Sequence, residues 1–238
     1  MSEPRPPRQV AILAPMRPEL RPLVKAAHLR RSGAEPPVYR GMVGTVGVAA
    51  MMTGMGLANA ERATRRLVEL SDCDHVLVVG IAGGLDRARP IGSVVVPESV
   101  LDLATGRVLA ATPLGGRLDG RLVTSDGLID DPDQLAGLRD DGFAAIDMET
   151  SAVAAACEDL GLPWTAFRGI SDHTTDDGVD QAVLGLSRPD GTPDLAAVTR
   201  LVITRPGRLP GLVRLGRYMQ RAVDAAVTQA LAALDPPD

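Results

Sequence analysis

The stretch that most constrains this chain runs from Phe143 to Asp172, F-A-A-I-D-M-E-T-S-A-V-A-A-A-C-E-D-L-G-L-P-W-T-A-F-R-G-I-S-D. The apolar run Phe143 to Ile146 predicts a buried strand. Ser151 to Leu160 predicts a helix, closed by Gly161 and Pro163. Trp164 to Ile170 predicts a second strand. A strand, a helix and a strand in so few residues form a βαβ unit, so the two strands are expected to be parallel and adjacent or nearly so. Glu149 then falls just past the end of the first strand and Asp172 just past the end of the second. In open α/β sheets that carboxyl edge is where ligands bind. Glu149, Asp172 and Arg168 are therefore expected to face one crevice.

Each acid also has a plainer explanation. Asp147 can cap the following helix, Glu149 can favour its first turn through the helix dipole, and Asp172 can cap a turn. The functional reading rests on their combination.

The rest of the chain fits a single α/β domain over residues 8–234, with flexible tails at 1–7 and 235–238. Gln9 to Ala14 predicts the first strand, followed by a helix to about Leu29 with Pro18 where proline is tolerated best. Val38 to Thr53 predicts two strands about a turn near Gly41 to Gly44, and Leu57 to Leu70 an amphipathic helix. His75 to Val79 predicts a buried strand running into Gly80-Ile81-Ala82-Gly83-Gly84. Strands are expected at Ser93 to Val96 and Arg121 to Ser125, with a hairpin at Val100 to Ala111 between them. Helices are expected over 193–203 and from Leu209 to Leu234. Aromatic residues are only 2%, so the core must be built from Ala, Val and Leu. A net charge of −5 argues against nucleic acid as a partner. The two cysteines, Cys73 and Cys157, and the three histidines have no metal-ligand spacing, so no metal and no other cofactor is expected. With no membrane-length apolar run and no signal peptide, the expected location is the cytoplasm.

D-M-E followed by F-R-G-I-S-D resembles the signature of the purine nucleoside phosphorylase and nucleosidase superfamily, most of all its 5′-methylthioadenosine/S-adenosylhomocysteine nucleosidases. The resemblance covers roughly residues 8–173. It implies a three-layer αβα fold around a central mixed, mostly parallel sheet. It assigns Met148 and Glu149 to the ribose, and Asp172, with Ser171, to the purine. M-x-x-E after the first strand makes Glu19 the acid that activates water. The Gly80 to Leu85 segment resembles the loop whose backbone, here Ala82 and Gly83, lies against purine and ribose. Ile81 replaces the usual Ser or Thr of that loop. Leu128 replaces the Phe that packs on the base; it offers an apolar wall but no stacking ring. Arg168 is assigned to the substrate side, holding Glu149 and water, with a purely structural ion pair as its other reading. The resemblance also implies a homodimer.

Phosphorolysis requires an anion site, commonly built from arginines and backbone N–H groups. The first loop, A-P-M-R-P-E, has no glycine; Val78 stands where phosphorylases of the superfamily carry Arg; Ile81 lacks a hydroxyl. Only Arg17 remains as an anion ligand, so hydrolysis is favoured. The expected activity is cleavage of the N-glycosidic bond of a 5′-substituted adenosine, releasing adenine. One rival is adenosylhopane cleavage, since G-L-S-R-P-D-G-T-P-D-L and the helices after it resemble the hopanoid-associated phosphorylase branch. The other is a non-catalytic nucleoside-binding protein, which would need no water-activating acid.

Residues 195–223 contain no acidic residue and hold Arg200, Arg205, Arg208, Arg214, Arg217 and Arg221 among apolar side chains. Two readings stand for this segment: a helix packed on its own domain with a solvated basic face, and an interfacial helix making peripheral contact with a membrane.

Overall fold

The structure, a computed structural model, describes residues 7–174 and 209–235. The helix expected over 193–203 and the arginines Arg200, Arg205 and Arg208 lie outside the described residues. The elements are β1 (Gln9–Ala14), α1 (Arg17–Ala26), β2 (Arg30–Arg31), β3 (Tyr39–Val43), β4 (Val46–Met52), α2 (Leu57–Ser71), β5 (His75–Gly84) and β6 (Val94–Val95). They continue with β7 (Ser99–Asp102), β8 (Val108–Ala110), β9 (Arg121–Thr124), α3 (Pro132–Asp140), β10 (Ala145–Asp147), α4 (Thr150–Leu160), β11 (Trp164–His173) and α5 (Leu209–Leu234).

All the described strands join one mixed sheet, flanked by helices on both faces. Strand alternation creates the layers. On β1, Ala11 and Leu13 face one core and Val10, Ile12 and Ala14 the other. On β5, Val76 and Val78 alternate with Leu77 and Val79 in the same way. The first core is closed by α2 and α4 through Ala60, Ala63, Leu67, Val153, Ala154 and Cys157. The second is closed by α1 and α5 through Leu20, Leu23, Val223, Ala226, Val227 and Ala230. In α2 the buried Ala60, Ala63, Thr64, Leu67 and Ser71 follow the helical period, and Asp72 ends the helix in the left-handed region. Gly161 does the same for α4, with φ 66°.

Strand β5 is the axis of the site. β1 runs parallel to its first half, from His75 to Val78. β11 runs parallel to it from Val76 to Gly84, with a bulge between Ile170 and Asp172. The glycine-rich segment after Val79 is therefore the second half of a strand and not a loop. Likewise, Ser171 and Asp172 are the bulged end of β11 rather than residues beyond it. The expected βαβ pairing does not form. β10 is short and antiparallel to β5 at Gly83 and Gly84, and β5 stands between β10 and β11. β10 finds its parallel neighbour in β9 instead. α1 ends at Ala26 rather than near Leu29, because His28, at φ 50°, turns the chain into β2.

Candidate active site

The carboxyl ends of β1, β5, β10 and β11 open on one cavity of about 230 Å³. Its wall includes Glu19, Ala82, Gly83, Leu128, Met148, Glu149, Ser171 and Asp172. These sequence-predicted residues therefore share one space. Arg168 does not line it: the side chain is fully buried, so it does not face the crevice as expected but holds Glu149 and Asp147 from within the fold.

Glu19 is the third residue of α1, and its carboxylate folds back over the helix start. Its Oε2 accepts from the Met16 backbone N–H at 2.6 Å. Its Oε1 accepts from the Ile81 N–H at 2.8 Å, which ties α1 to β5. Glu19 is 1% exposed, and this burial pushes its carboxyl up to about 8, against the lowering effect of Arg168 and the Ile81 N–H. A carboxyl tuned into that range suits proton transfer near neutral pH.

Glu149 occupies the N-cap position of α4, but its side chain turns to the start of α2, where its Oε1 accepts from the Gly56 N–H at 3.0 Å. The partial positive charge of that helix end favours an anion. Its Oε2 lies 3.4 Å from Arg168 Nη2. Burial raises the Glu149 carboxyl, and Arg168 works in the opposite direction.

Arg168 is also ion-paired with Asp147 and donates from Nε to Thr150 Oγ1 at 3.2 Å. Among the described residues its buried Nη1 has no hydrogen-bond partner. Asp147 accepts from Thr124 Oγ1 at 2.6 Å, from the hydroxyl of Thr150, and from the backbone N–H groups of Glu149 and Thr150 at 3.4 and 3.3 Å. The capping interaction with Thr150 is thus present, but the same carboxylate also anchors the arginine.

Asp172 also lines the cavity, is part-buried, and accepts from its neighbour Ser171 Oγ at 2.5 Å. Ser171 Oγ also lies 3.4 Å from the Ala82 carbonyl. Leu128 joins Ile129, Leu135 and Ile146 as an apolar wall, and Ile81 fills the place of the expected hydroxyl. Arg17 is exposed and does not line the cavity. Among the described residues the lining holds carboxylates and neither Lys nor Arg, and no cluster of His, Cys, Asp and Glu is suited to a metal ion.

Met16, Met55, Leu215 and Met219 also line the cavity but were not picked out as site residues by sequence. Leu215 and Met219 sit one helical turn apart on α5, which is the only signal they give. The Gly56 N–H is foreshadowed only by the Gly-x-Gly that precedes α2.

Carboxylates gather at the strand ends of a sheet flanked by helices on both faces, and solved nucleosidases share this fold. The 5′-methylthioadenosine/S-adenosylhomocysteine nucleosidase of Neisseria meningitidis, in complex with methylthio-immucillin-A, matches with a TM-score of 0.73 over 97% of this chain and 100% of that chain, at 17% identity. The futalosine hydrolase of Helicobacter pylori matches with a TM-score of 0.72 over 97% of this chain and 98% of that one, at 14% identity. The family model of the phosphorylase superfamily matches residues 9–116 and 117–204, and the chain belongs to that superfamily. Among curated relatives, the 5′-methylthioadenosine/S-adenosylhomocysteine nucleosidase of Shewanella frigidimarina is 26% identical over 204 residues, covering 71% of this chain and 88% of the relative. That of an Exiguobacterium strain is 28% identical over 170 residues, covering 58% and 73%.

Proposed function

We propose that this chain hydrolyses the N-glycosidic bond of a 5′-substituted adenosine and releases adenine. The observation that carries the reading is a pair of buried acids, Glu19 and Glu149, lining one cavity together with Asp172. Glu19, once ionised, takes a proton from the attacking water. Glu149 accepts from the ribose hydroxyls, keeps the sugar in register and favours the cationic character that develops at C1′. Asp172 delivers a proton to purine N7 and makes the base a better leaving group. Met148, Ser171 and the backbone of Ala82 and Gly83 complete the substrate walls. The Shewanella relative, a methylthioadenosine/S-adenosylhomocysteine nucleosidase, suggests the substrate class.

Water is preferred to phosphate as the nucleophile because the described lining is rich in carboxylates and offers neither Lys nor Arg to a phosphate dianion. The test incubates the protein with methylthioadenosine, S-adenosylhomocysteine, 5′-deoxyadenosine and futalosine, and follows free base with and without phosphate. Adenine with free ribose-type sugar supports the reading. A phosphate-dependent rate yielding a sugar 1-phosphate overturns hydrolysis, and tight binding without turnover makes the chain a binding protein.

A second reading has a large apolar group on the 5′ carbon, as in adenosylhopane, and peripheral contact with an anionic membrane. Its support is the first half of α5, where Leu215 and Met219 line the cavity while Val213, Arg214, Arg217 and Arg221 are exposed. No described helix is long and apolar enough to cross a membrane, so the contact would be at the surface. Flotation with anionic liposomes at low salt tests it, and a protein that stays in the soluble fraction and cleaves methylthioadenosine efficiently rules it out. A homodimer in the cytoplasm belongs to the main reading, and light scattering of the purified protein checks the dimer.

A further inference from the structure

We propose that Asp147 is a positioning residue of this site: it holds the Arg168 guanidinium and takes up its charge, leaving Glu19 as the member of the buried cluster that carries a proton in the ligand-free enzyme. The proposal rests on the hydrolase reading for its kinetic consequence, but its structural part stands alone.

Three carboxyl groups, Glu19, Asp147 and Glu149, are buried around one cation, Arg168. If all were ionised, the cluster would carry one positive and three negative charges. Burying uncompensated charge is costly, so such clusters hold a proton instead. The hydrogen bonds indicate where. Asp147 is ion-paired with Arg168 and receives two hydroxyls and two backbone N–H groups. The Thr124 hydroxyl already accepts from Ser151 N at 3.0 Å, so its own proton is directed at Asp147. Glu149 has the Gly56 N–H and the longer approach of Arg168. Glu19 has two backbone N–H donors but, among the described residues, no ion pair, and Arg168 Nη1, which meets it over Gly80, has no hydrogen-bond partner among them. Burial pushes both Glu19 and Glu149 upward, so the choice between them rests on the hydrogen bonds and ion pairs.

Around Glu19 the charged and titratable groups are Arg168 of β11, Asp147 of β10 and Glu149 at the start of α4. Asp172 and His173 of β11 line the same cavity. From α5, Leu215 and Met219 line it, and Arg214, Arg217 and Arg221 are exposed. On α1 itself, Arg17 and Arg21 are exposed. Within this set Asp147 is the group that competes most directly with Glu19 for Arg168.

The experiment labels glutamate side chains with ¹³C in the full, ligand-free chain and titrates the Glu19 carboxyl, assigned by its loss in Glu19→Gln. In the wild type it should titrate well above the ordinary carboxylate range. Asp147→Asn should lower the midpoint by about one pH unit or more, since the guanidinium's charge is released to Glu19. Thr124→Val, which removes one donor and loosens the grip of Asp147 on Arg168, should move it the same way by less. The acid limb of kcat/KM should follow both shifts. A midpoint and limb that stay in place while the rate drops evenly at every pH would reduce Asp147 to a helix cap and overturn the proposal. If Asp147→Asn does not fold, Thr124→Val decides alone, and an unmoved midpoint counts against it. A wild type that releases no base defeats the hydrolase reading and leaves the titration readable.

Discussion

Glu19 and Arg168 meet over the bare α-carbon of Gly80. A Cβ there would sit 2.4 Å from Glu19 Oε1 and 2.6 Å from Arg168 Nη1. Both are ends of long side chains, but neither is free to swing away. Glu19 is held by the Met16 and Ile81 N–H groups, and Arg168 by Asp147, Glu149 and Thr150. Gly80→Ala should therefore displace the base while leaving the sheet formed. The expected loss in kcat/KM is on the order of 10²-fold, as for other ångström-scale misplacements. Overpacking should cost about 1–3 kcal/mol of stability. Kinetics and denaturant unfolding of the variant check both, and a near-normal rate would mean that the base is not Glu19.

The acid limb of the wild-type pH profile should report Glu19. Water activation needs its ionised form, and burial pushes the carboxyl up to about 8 in the empty site. Because kcat/KM reports the free enzyme, it should rise with pH through about 8. Glu19→Gln should lower turnover by about 10²–10⁴-fold, abolish that limb and leave substrate affinity nearly intact. Isothermal calorimetry with a slowly turned-over nucleoside separates binding from rate. A limb that persists in Glu19→Gln would assign it to another group.

His75 should set part of the acid sensitivity of the fold. It begins β5, and its Nε2 lies 2.8 Å from Thr165 Oγ1, whose proton goes to the Thr112 carbonyl at 2.6 Å. Nε2 must then be the donor, so the neutral ring carries its proton on that nitrogen. Burial lowers the imidazole to about 4. The unfolded chain, with an ordinary histidine, binds the proton first, so the stability due to the neutral ring is complete above about pH 6.5 and falls progressively down to about 4. Thermal unfolding of the wild type should drop more steeply across that window than that of His75→Asn. Parallel curves would remove His75 from the account.

Much of this arrangement was legible in the sequence. β1, the first half of β5 and most of β11 are apolar runs long enough to declare themselves, and their order places Glu19 and Asp172 at one edge. The direction of β10 was not legible. Its few residues are too short for a period, and its antiparallel seat on Gly83 and Gly84 is decided by tertiary pairing alone. The glycines after Val79 suggested a loop, yet they extend β5 because β11 supplies a partner along the whole length. Asp147 looked like a cap, since a sequence shows its neighbour Thr150 but not Arg168 on another strand. The α5 residues in the cavity were hidden for a related reason: an apolar stripe does not say which of its members project beyond the core.

That helix supplies the last prediction. Gly169 lies in the middle of β11, where α5 crosses it so closely that a Cβ would sit 2.1 Å from the Ala222 carbonyl oxygen and 2.6 Å from the carbonyl carbon. The obstacle is backbone, so no side-chain rotation can relieve it. Gly169→Ala must push α5 outward, away from the core that Val223, Ala226, Val227 and Ala230 form with β1 and β5. A cost of about 1–3 kcal/mol is expected from the strain alone. The shift should also carry Leu215 and Met219, which lie upstream on the same helix, out of the cavity wall. KM should therefore rise more than kcat falls, because the lost contacts bind rather than react, and Glu19, Glu149 and Asp172 belong to other elements. Steady-state kinetics beside chemical denaturation checks the pair of effects. A variant that loses stability with an unchanged KM would show that α5 closes the core without shaping the site.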